Sequence, residues 1–391
     1  MAPVPTDVNE YVAALPPWGT FAPLLADADT VLEGGVDQST ETIGATTYKC
    51  TTSPFSLTLT PDKIVTLDPD VNILWLGALL QGSGYKDGIG SLAEWSVRER
   101  APLRLSIDLL TDANTRTVDK PDLGSVTHAI GELVQTAAAA GHHGGSSVSF
   151  SMQTSHSVKQ GALAVGISSR YLGPTITANL SWSGRADEQT ITAYFVQRMF
   201  TVSFVLPNTP GDLFSAAFTP ARLQEEVDRG HVGSSNPPVY VASIVYGRIL
   251  MFNFTSTASS DSIRIALSAA ATSHDSAGID IRLSRILTTA DIRVVTVGGE
   301  GRNATALIRS GQLADYFNEE AALTSARPIS YTVRNLGDNS IARVSETTQY
   351  NLKECTAIPS TGLLQIDVTP NDATVSVVGP GGYTFGPRTG D

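Results

Sequence analysis

Apolar and small polar residues alternate along several stretches of this chain, which predicts β-strands. The alternation appears at residues 55–60 and again at residues 104–109, and a period of two is typical of a strand with one buried face. Two longer apolar runs, at residues 193–205 and 238–254, have the composition of strands buried in a core. Residues 361–385 predict one or two further strands near the end of the sequence.

The strictest alternation occurs at residues 176–183 and 279–284, where small polar or charged residues separate the apolar positions. An ordinary half-buried sheet has the same periodicity, so the pattern alone predicts strands without indicating what their apolar face contacts. The apolar positions of the two stretches are Ile176, Ala178, Leu180, Trp182, Ile279, Ile281 and Leu283.

Helices are predicted at three places. Residues 8–15 form a short candidate, and residues 123–140 carry apolar side chains four positions apart before a glycine-rich turn that ends the helix. Residues 304–318 form the third candidate. Long strands with few helices predict an α+β fold built around an antiparallel sheet.

The composition changes this picture mainly through charge. The chain has 391 residues, enough for two or three domains; 41% of them are hydrophobic and only 16% are charged. The formal net charge is −12. Because nucleic acids and anionic lipid surfaces attract basic proteins, this charge argues against a nucleic-acid partner and against membrane docking by charge alone.

No apolar run approaches the roughly 20 residues that a transmembrane helix needs. The longest one, at residues 71–80, ends at Gln81 and contains Asn72, which predicts a soluble protein. The residues after Met1 have neither the charged start nor the apolar centre of a signal peptide. This leaves a trimmed chain and export by another route as alternatives.

A search for catalytic motifs finds only weak matches. Residues 299–304 fit a loose GxGxxA dinucleotide-binding pattern, but the strand–helix–strand context is missing, and a turn is the better interpretation. His142 and His143 are adjacent in a glycine-rich stretch, which favours a solvated loop over a metal site. We therefore expect no catalytic residue, no cofactor, no metal and no enzymatic activity.

The two cysteines, Cys50 and Cys355, lie near opposite ends of the sequence. They could pair as a disulfide of a secreted protein or form two unrelated buried thiols, and their spacing does not distinguish these alternatives.

Several collinear stretches between residues 51 and 350 resemble the cholesterol-dependent (thiol-activated) cytolysins, which belong to the MACPF/CDC superfamily. The most specific is PPVYVASIVYGR at residues 237–248, which is similar to the family's PPVYVSSVAYGR. The others are LGALL at 76–80, PLRLSIDL at 102–109, TVSF at 201–204, PNTPGDLF at 207–214, VGGE at 297–300, PISYT at 328–332 and DNSIA at 338–342.

The resemblance implies an elongated multidomain fold with a twisted central antiparallel sheet. Two helical clusters, at about residues 151–192 and 272–293, would flank it and become transmembrane β-hairpins. The alternating stretches fall inside both clusters, so their seven apolar positions are the expected membrane-inserting residues. The implied function is a secreted pore-forming toxin that binds a target membrane, assembles into a homo-oligomeric ring and inserts a β-barrel.

The resemblance also implies a domain division and two structural roles. Residues 1–50 would form an N-terminal segment and part of an elongated β domain, residues 51–350 the central sheet, and residues 351–391 a return strand and a short or truncated C-terminal β module. Gly298 and Gly299 align with a glycine pair where an edge strand bends and is freed for a neighbouring subunit. Cys50 and Cys355 would lie on adjacent strands of the elongated domain and pair as a disulfide.

Two features depart from the family pattern. Nothing matches the tryptophan-rich undecapeptide, since the four tryptophans are at positions 18, 75, 95 and 182, so cholesterol is not established as the target lipid. Ile292 stands where the family has a phenylalanine used in strand-register stacking. The alternative function is therefore a non-lytic or partner-dependent pore-forming core that needs a second protein or a missing C-terminal domain for membrane binding.

Overall fold

The computed structural model describes residues 7–16, 18, 29–61, 63–68, 72–143, 147–272, 280–298, 303–318, 321–359, 374–378 and 384–389. In these residues the fold is α+β and all paired strands are antiparallel, as predicted. No helix in the described part of the chain is both long and apolar enough to cross a membrane.

The elements are named here in chain order. The helices are α1 (Val8–Ala13), α2 (Gly82–Asp87), α3 (Leu123–Ala139), α4 (Val158–Ala164), α5 (Gly173–Asn179), α6 (Pro220–Asp228), α7 (Ser260–Thr272), α8 (Ile281–Thr289), α9 (Ala304–Ser310) and α10 (Leu313–Asn318). The strands are β1 (Asp29–Leu32), β2 (Asp37–Ile43), β3 (Thr46–Leu59), β4 (Ile64–Val65), β5 (Leu79–Gln81), β6 (Leu103–Ile107), β7 (Thr115–Val118), β8 (Ser147–Thr154), β9 (Gln189–Phe204), β10 (Pro238–Ser256), β11 (Asp291–Val297), β12 (Arg327–Asn335), β13 (Glu346–Ile358), β14 (Thr374–Val378) and β15 (Thr384–Thr389).

The central sheet is organised around β10, which pairs with β9 and β5 and with β12 and β11 along its length. Strands β6 and β8 pair with β9, and β7 and β4 extend the sheet through β6 and β12. Almost every residue of β10 is buried, because core clusters cover both of its faces. A near-continuous apolar run is therefore the correct sequence signature for this strand.

A close approach of two strands requires glycine at one position in this sheet. The pairing of β9 with β10 shifts register between Tyr246 and Gly247, and a Cβ on Gly247 would lie 2.0 Å from the carbonyl oxygen of Gln197. A larger residue there would force the two longest strands apart.

A second, smaller sheet, called the thin sheet below, consists of β1, β2, β3 and β13. Strand β3 pairs with β13 from Leu59↔Glu346 to Thr47↔Ile358. Both strands continue through the predicted domain boundaries at residues 50/51 and 350/351, so those boundaries fall inside strands. The domain division itself stays a prediction.

Cys50 and Cys355 are register partners in the thin sheet and form a disulfide, with 4.0 Å between their Cα atoms. Cys50 is fully buried. The predicted disulfide is confirmed, and it joins residues that are 305 positions apart in the sequence.

The strands predicted at residues 55–60, 104–109, 193–205 and 238–254 are present as β3, β6, β9 and β10. The helices predicted at 8–15 and 123–140 are present as α1 and α3. Of residues 361–385, residues 361–373 and 379–383 lie outside the described residues, and β14 and β15 pair with each other.

Three predictions drawn from local patterns are wrong. The expectation of few helices fails, because ten α-helices are present in the described residues. The helical clusters that the family resemblance implied are present, with α4 and α5 within residues 151–192 and α8 within residues 272–293. The strands predicted at 176–183 and 279–284 are therefore partly helical. In α5, Ile176 and Leu180 are four positions apart, and a helix can bury both against the sheet. The helix predicted at 304–318 is divided at Gly311, whose φ of 75° is the left-handed conformation that ends α9.

The disulfide yields the first prediction. The denatured, unreduced protein should show no free thiol on labelling, whereas the reduced protein should show two. The double substitution Cys50→Ser/Cys355→Ser should lower the free energy of unfolding by about 2–5 kcal/mol, because the bond closes a long loop in the unfolded chain. Chemical denaturation measured with and without reductant tests this value.

A reactive thiol in the unreduced protein would contradict the pairing. The matched control is Ser39→Ala, since Ser39 is the register partner of Cys50 on the opposite side of β3 and its side chain is exposed. This substitution should leave stability nearly unchanged.

Candidate functional site

The candidate site consists of two segments that leave the central sheet and return to it. Segment 1 (residues 151–192) leaves along β8, passes through α4 and α5, and returns in β9. Segment 2 (residues 272–293) lies between α7 and β11 and contains α8. Strands β8 and β9 are paired neighbours, as are β10 and β11, so each segment is a long excursion between adjacent strands.

A buried carboxylate connects segment 1 to the thin sheet. Glu346, the first residue of β13, is 4% exposed, and its carboxylate accepts a hydrogen bond of 2.5 Å from Ser168 Oγ. The backbone N–H of Ser169 donates to it at 3.2 Å, and the Ser169 hydroxyl donates a further bond. Removing these donors would leave a buried charge unsatisfied, so the three bonds favour the docked position of segment 1.

A histidine forms a second contact between the same two elements. The ring of His156 stacks on Tyr350 of β13 with 5.6 Å between ring centroids and 8° between ring planes. Burial lowers the pKa of His156 below its ordinary value of 6.5, and the nearby Glu354 carboxylate offsets part of this effect. Protonating His156 therefore opposes its burial against the thin sheet.

The far end of segment 1 is held by the thin sheet and by the body of the protein. Glu41 of β2 accepts a hydrogen bond from the backbone N–H of Ala186 at 3.3 Å. The hydroxyl of Tyr171 donates to the carbonyl oxygen of Tyr85 at 2.6 Å. The contacts with Glu346, Tyr350, Glu41 and Tyr85 thus hold segment 1 at several separate points.

A chain of buried hydrogen bonds ties segment 1 to the central sheet. Ser155 Oγ donates to Thr192 Oγ1, Thr192 Oγ1 donates to Asn253 Oδ1, and Asn253 Nδ2 donates to the carbonyl oxygen of Leu180, each at 2.6 Å. A Cβ on Gly161 of α4 would lie 2.4 Å from Ser155 Oγ and 2.5 Å from Thr192 Oγ1. Only glycine at that position allows α4 to approach these polar groups.

The structure distributes the predicted membrane-inserting residues of segment 1 over different environments. Leu180 is fully buried and Ile176 is half-buried against the same core, whereas Ala178 is exposed and Trp182 is half-buried. In a helix successive residues are about 100° apart, so residues two apart do not share a face. In a strand all four would lie on one side.

The predicted membrane-inserting residues of segment 2 also lie in different environments. Ile281 has 80% of its surface exposed, whereas Leu283 is half-buried against the core beneath α7 and α8. Leu287 anchors α8 to that core and is fully buried. Ile279 lies outside the described residues.

The predicted hinge lies at the end of β11. Gly298 has a φ of 69°, and a Cβ there would lie 2.8 Å from the carbonyl oxygen of Gly247. Gly299 lies outside the described residues. Within the described part of the chain, β10 is the only strand that pairs with β11. Ile292, the position of the missing phenylalanine, is opposite Phe254 of β10.

No observation on the described residues favours a metal site at the two histidines or a dinucleotide-binding motif. His142 Nε2 lies 2.8 Å from the carbonyl oxygen of Leu110, which accounts for one of the two histidines considered as metal ligands. Across the described ranges no three His, Cys, Asp or Glu side chains cluster as metal ligands. Most of the GxGxxA stretch lies outside the described residues.

Sequence reasoning missed the residues that hold segment 1 in place, namely Glu346, His156, Tyr350 and Glu41. Their partners are up to 194 positions away (350 − 156), so no local pattern marks them. The return strand was predicted only from residue 351, so Glu346 carried no local signal in the sequence.

Comparisons with known proteins agree on one family. The family model described as thiol-activated cytolysin matches residues 67–357. Hemolysin from Bacillus cereus is 28% identical over 295 residues, which is 73% of this chain and 59% of that protein. The curated relatives that the chain matches are longer, and the chain spans between 45% and 63% of their length.

Solved structures show the same fold. A non-hemolytic pneumolysin from Streptococcus pneumoniae strain ST306 superposes with a TM-score of 0.70 at 22% identity, covering 90% of this chain and 75% of that one. A disulfide-locked mutant of intermedilysin, solved with human CD59, gives a TM-score of 0.67 at 23% identity and covers 83% of this chain and 69% of that one.

The stacked histidine yields a prediction about pH. Because burial lowers the pKa of His156, the unfolded chain binds this proton more readily than the folded protein does, and stability falls as the pH drops through and below 6.5. We expect His156→Phe, which keeps a stacked ring, to lose less melting temperature than the unmodified protein between about pH 7 and about pH 5. Thermal unfolding at both pH values measures the difference.

The control is His128→Phe, at a histidine whose side chain is 80% exposed. Charged groups also surround His156: Glu354 acts on it, and Arg185, Glu188 and Lys353 line the adjoining cavity. An equal pH dependence in His156→Phe and the unmodified protein would assign the effect to those groups instead.

Proposed function

Because the chain belongs to the thiol-activated cytolysin family, we propose that it is a secreted pore-forming protein. It binds a target membrane, assembles with copies of itself into a ring, and inserts segments 1 and 2 as β-hairpins of a shared barrel. The observation that carries this proposal is the strand-like alternation of residues 176–183, which is present in the sequence although α5 now holds part of it in a helix.

The physics of the bilayer requires a change of secondary structure in these segments. In hydrocarbon every backbone N–H and C=O needs an internal partner, so only helices and closed barrels span a membrane. Helices α4 and α5 have 7 residues each and α8 has 9, far short of the roughly 20 that a spanning helix needs. A barrel strand needs about 9–11 residues, and each segment can supply two with a turn between them.

Conversion to strands would bring the separated apolar side chains to one face. Ile176, Ala178, Leu180 and Trp182 would face lipid from segment 1, and Ile279, Ile281 and Leu283 would face lipid from segment 2. Small polar and charged residues between them would face the water-filled lumen. The resting structure exposes only part of this set, which keeps a large apolar face out of water before assembly.

Assembly in this proposal uses the side of β11 that faces away from β10. Release of the chain after Gly298 and Gly299 would leave the β11 edge open to a strand of a neighbouring copy, because an unpaired edge presents a row of free N–H and C=O groups. Ile292 lacks an aromatic ring, so stacking at that position does not set the strand register here.

A second candidate is a pore-forming core that depends on a partner for membrane binding. The sequence has no match to the family's tryptophan-rich undecapeptide, and the related intermedilysin was solved with the human protein CD59. No catalytic step is part of either proposal. Dye release from liposomes of varied composition, with the chain alone and with candidate partner proteins, distinguishes the two.

The lipid-facing role of Ile281 can be tested with one substitution. Ile281→Arg should leave folding and ring assembly unchanged, because the side chain is 80% exposed in the resting protein. It should strongly reduce leakage, since an arginine facing lipid costs about 2–4 kcal/mol at the bilayer midplane in every subunit. Liposome leakage and electron microscopy of membrane-bound rings provide the two measurements.

The matched control is Ser284→Arg, which places the same charge on the proposed lumen face of the same stretch. Its leakage should stay near that of the unmodified protein, and equal loss in both variants would refute the assigned alternation. Leu180→Arg is a poorer test, because Leu180 is fully buried and a charge there would also destabilise the resting fold.

Locking segment 1 onto the thin sheet should stop insertion reversibly. The double substitution Ser169→Cys/Glu346→Cys places one thiol on each of two residues whose side chains are hydrogen-bonded in the resting protein. The oxidised protein should form rings that do not leak until reductant is added. Leakage at full rate with the engineered bond intact would show that segment 1 does not insert. The unmodified chain in the same reductant controls for loss of the Cys50–Cys355 bond.

A further inference from the structure

A half-open cavity of about 340 Å³ lies at the junction of the two sheets, beside Gly166 of segment 1. Its wall is mainly apolar, and this volume is within the range of small-ligand sites in proteins. The apolar lining residues are Leu59, Pro61, Val65, Val196 and Ile329, and Gly166 of segment 1 contributes the backbone of one side.

Two cationic side chains, Lys63 and Arg198, also line this cavity. Neither makes a side-chain hydrogen bond or ion pair with any residue that the structure describes, in contrast to Lys353 and Arg185, which pair with Glu41 and Asp187. No carboxylate is among the described lining residues. The cavity therefore combines an apolar wall with two positive charges, half-buried at Lys63 and exposed at Arg198, that have no counter-ion among the described lining residues.

A tyrosine hydroxyl in the same cavity provides a neutral hydrogen-bond donor. Tyr194 also lines the cavity, and burial raises the pKa of its phenol well above the ordinary value. The phenol stays protonated at neutral pH, and its hydroxyl makes no hydrogen bond to the described residues. It is therefore free to donate to an acceptor in the cavity.

We propose that this cavity binds a single-chain anionic amphiphile, a fatty-acid carboxylate, with its head group near Lys63 and Arg198 and its chain along the apolar wall. The charges favour an anionic head group over a cationic or zwitterionic one. The limited volume favours one acyl chain over the two of a phospholipid. The proposal does not depend on pore formation, since the site exists in the resting fold.

The test measures binding of dodecanoate to the full chain without membranes, below the critical micelle concentration, by isothermal titration calorimetry. We expect one saturable site per chain, with hexanoate binding far more weakly, because each buried methylene contributes about fourfold in affinity. Dodecyltrimethylammonium, which has a similar chain and the opposite charge, should not bind. Equal binding of either comparison ligand would overturn the proposed chemistry.

Two variants locate the site. Lys63→Gln/Arg198→Gln should weaken dodecanoate binding about tenfold, whereas Lys159→Gln/Arg104→Gln, at two exposed cations elsewhere on the surface, should leave it unchanged. Val65→Trp, which fills the cavity from β4, should abolish binding, and circular dichroism checks that it folds. Saturable binding unaffected by both the charge variant and Val65→Trp, or no saturable binding at all, would refute the site.

Discussion

The pairing of β10 with strands on both sides is the interaction on which the rest of the structure depends. This 19-residue strand hydrogen-bonds to β9 and β5 on one side and to β12 and β11 on the other. Segment 1 returns into β9, and segment 2 lies between β10 and β11. The strand pairing around β10 therefore fixes where both segments start and end. Their central parts are held by other contacts.

Segment 1 is held by both apolar and polar contacts. Leu163, Ile167, Leu172 and Leu180 are completely buried, and each contributes about 1.5–3 kcal/mol by its burial. The bonds to Glu346, the stacked His156 and the Ser155–Thr192–Asn253 chain add to this attachment, at about 1 kcal/mol each, because water replaces polar contacts when they break. In the proposed insertion, contact with lipid would have to replace the apolar burial that segment 1 loses.

The disulfide and the thin sheet support this arrangement from outside the central sheet. Glu346 and Tyr350 both lie on β13, whose pairing with β3 is secured by Cys50–Cys355. The thin sheet has little apolar core of its own, since most residues of β2 and many of β13 are exposed. A covalent link thus stabilises the sheet that holds segment 1.

The sequence by itself determined the elements whose patterns are local. The runs at 193–205 and 238–254 predicted β9 and β10, spacing four predicted α3, and collinear motifs predicted the family and the disulfide. Tertiary structure decided the bounds of α5 inside the helical cluster that the family resemblance implied, and it alone decided the pairing of Glu346 with Ser168 and Ser169. Residues 176–183 can bury apolar side chains either at a strand period or through Ile176 and Leu180 at a helical one. The surfaces packed against that stretch select between the two, and they come from residues far away in the chain.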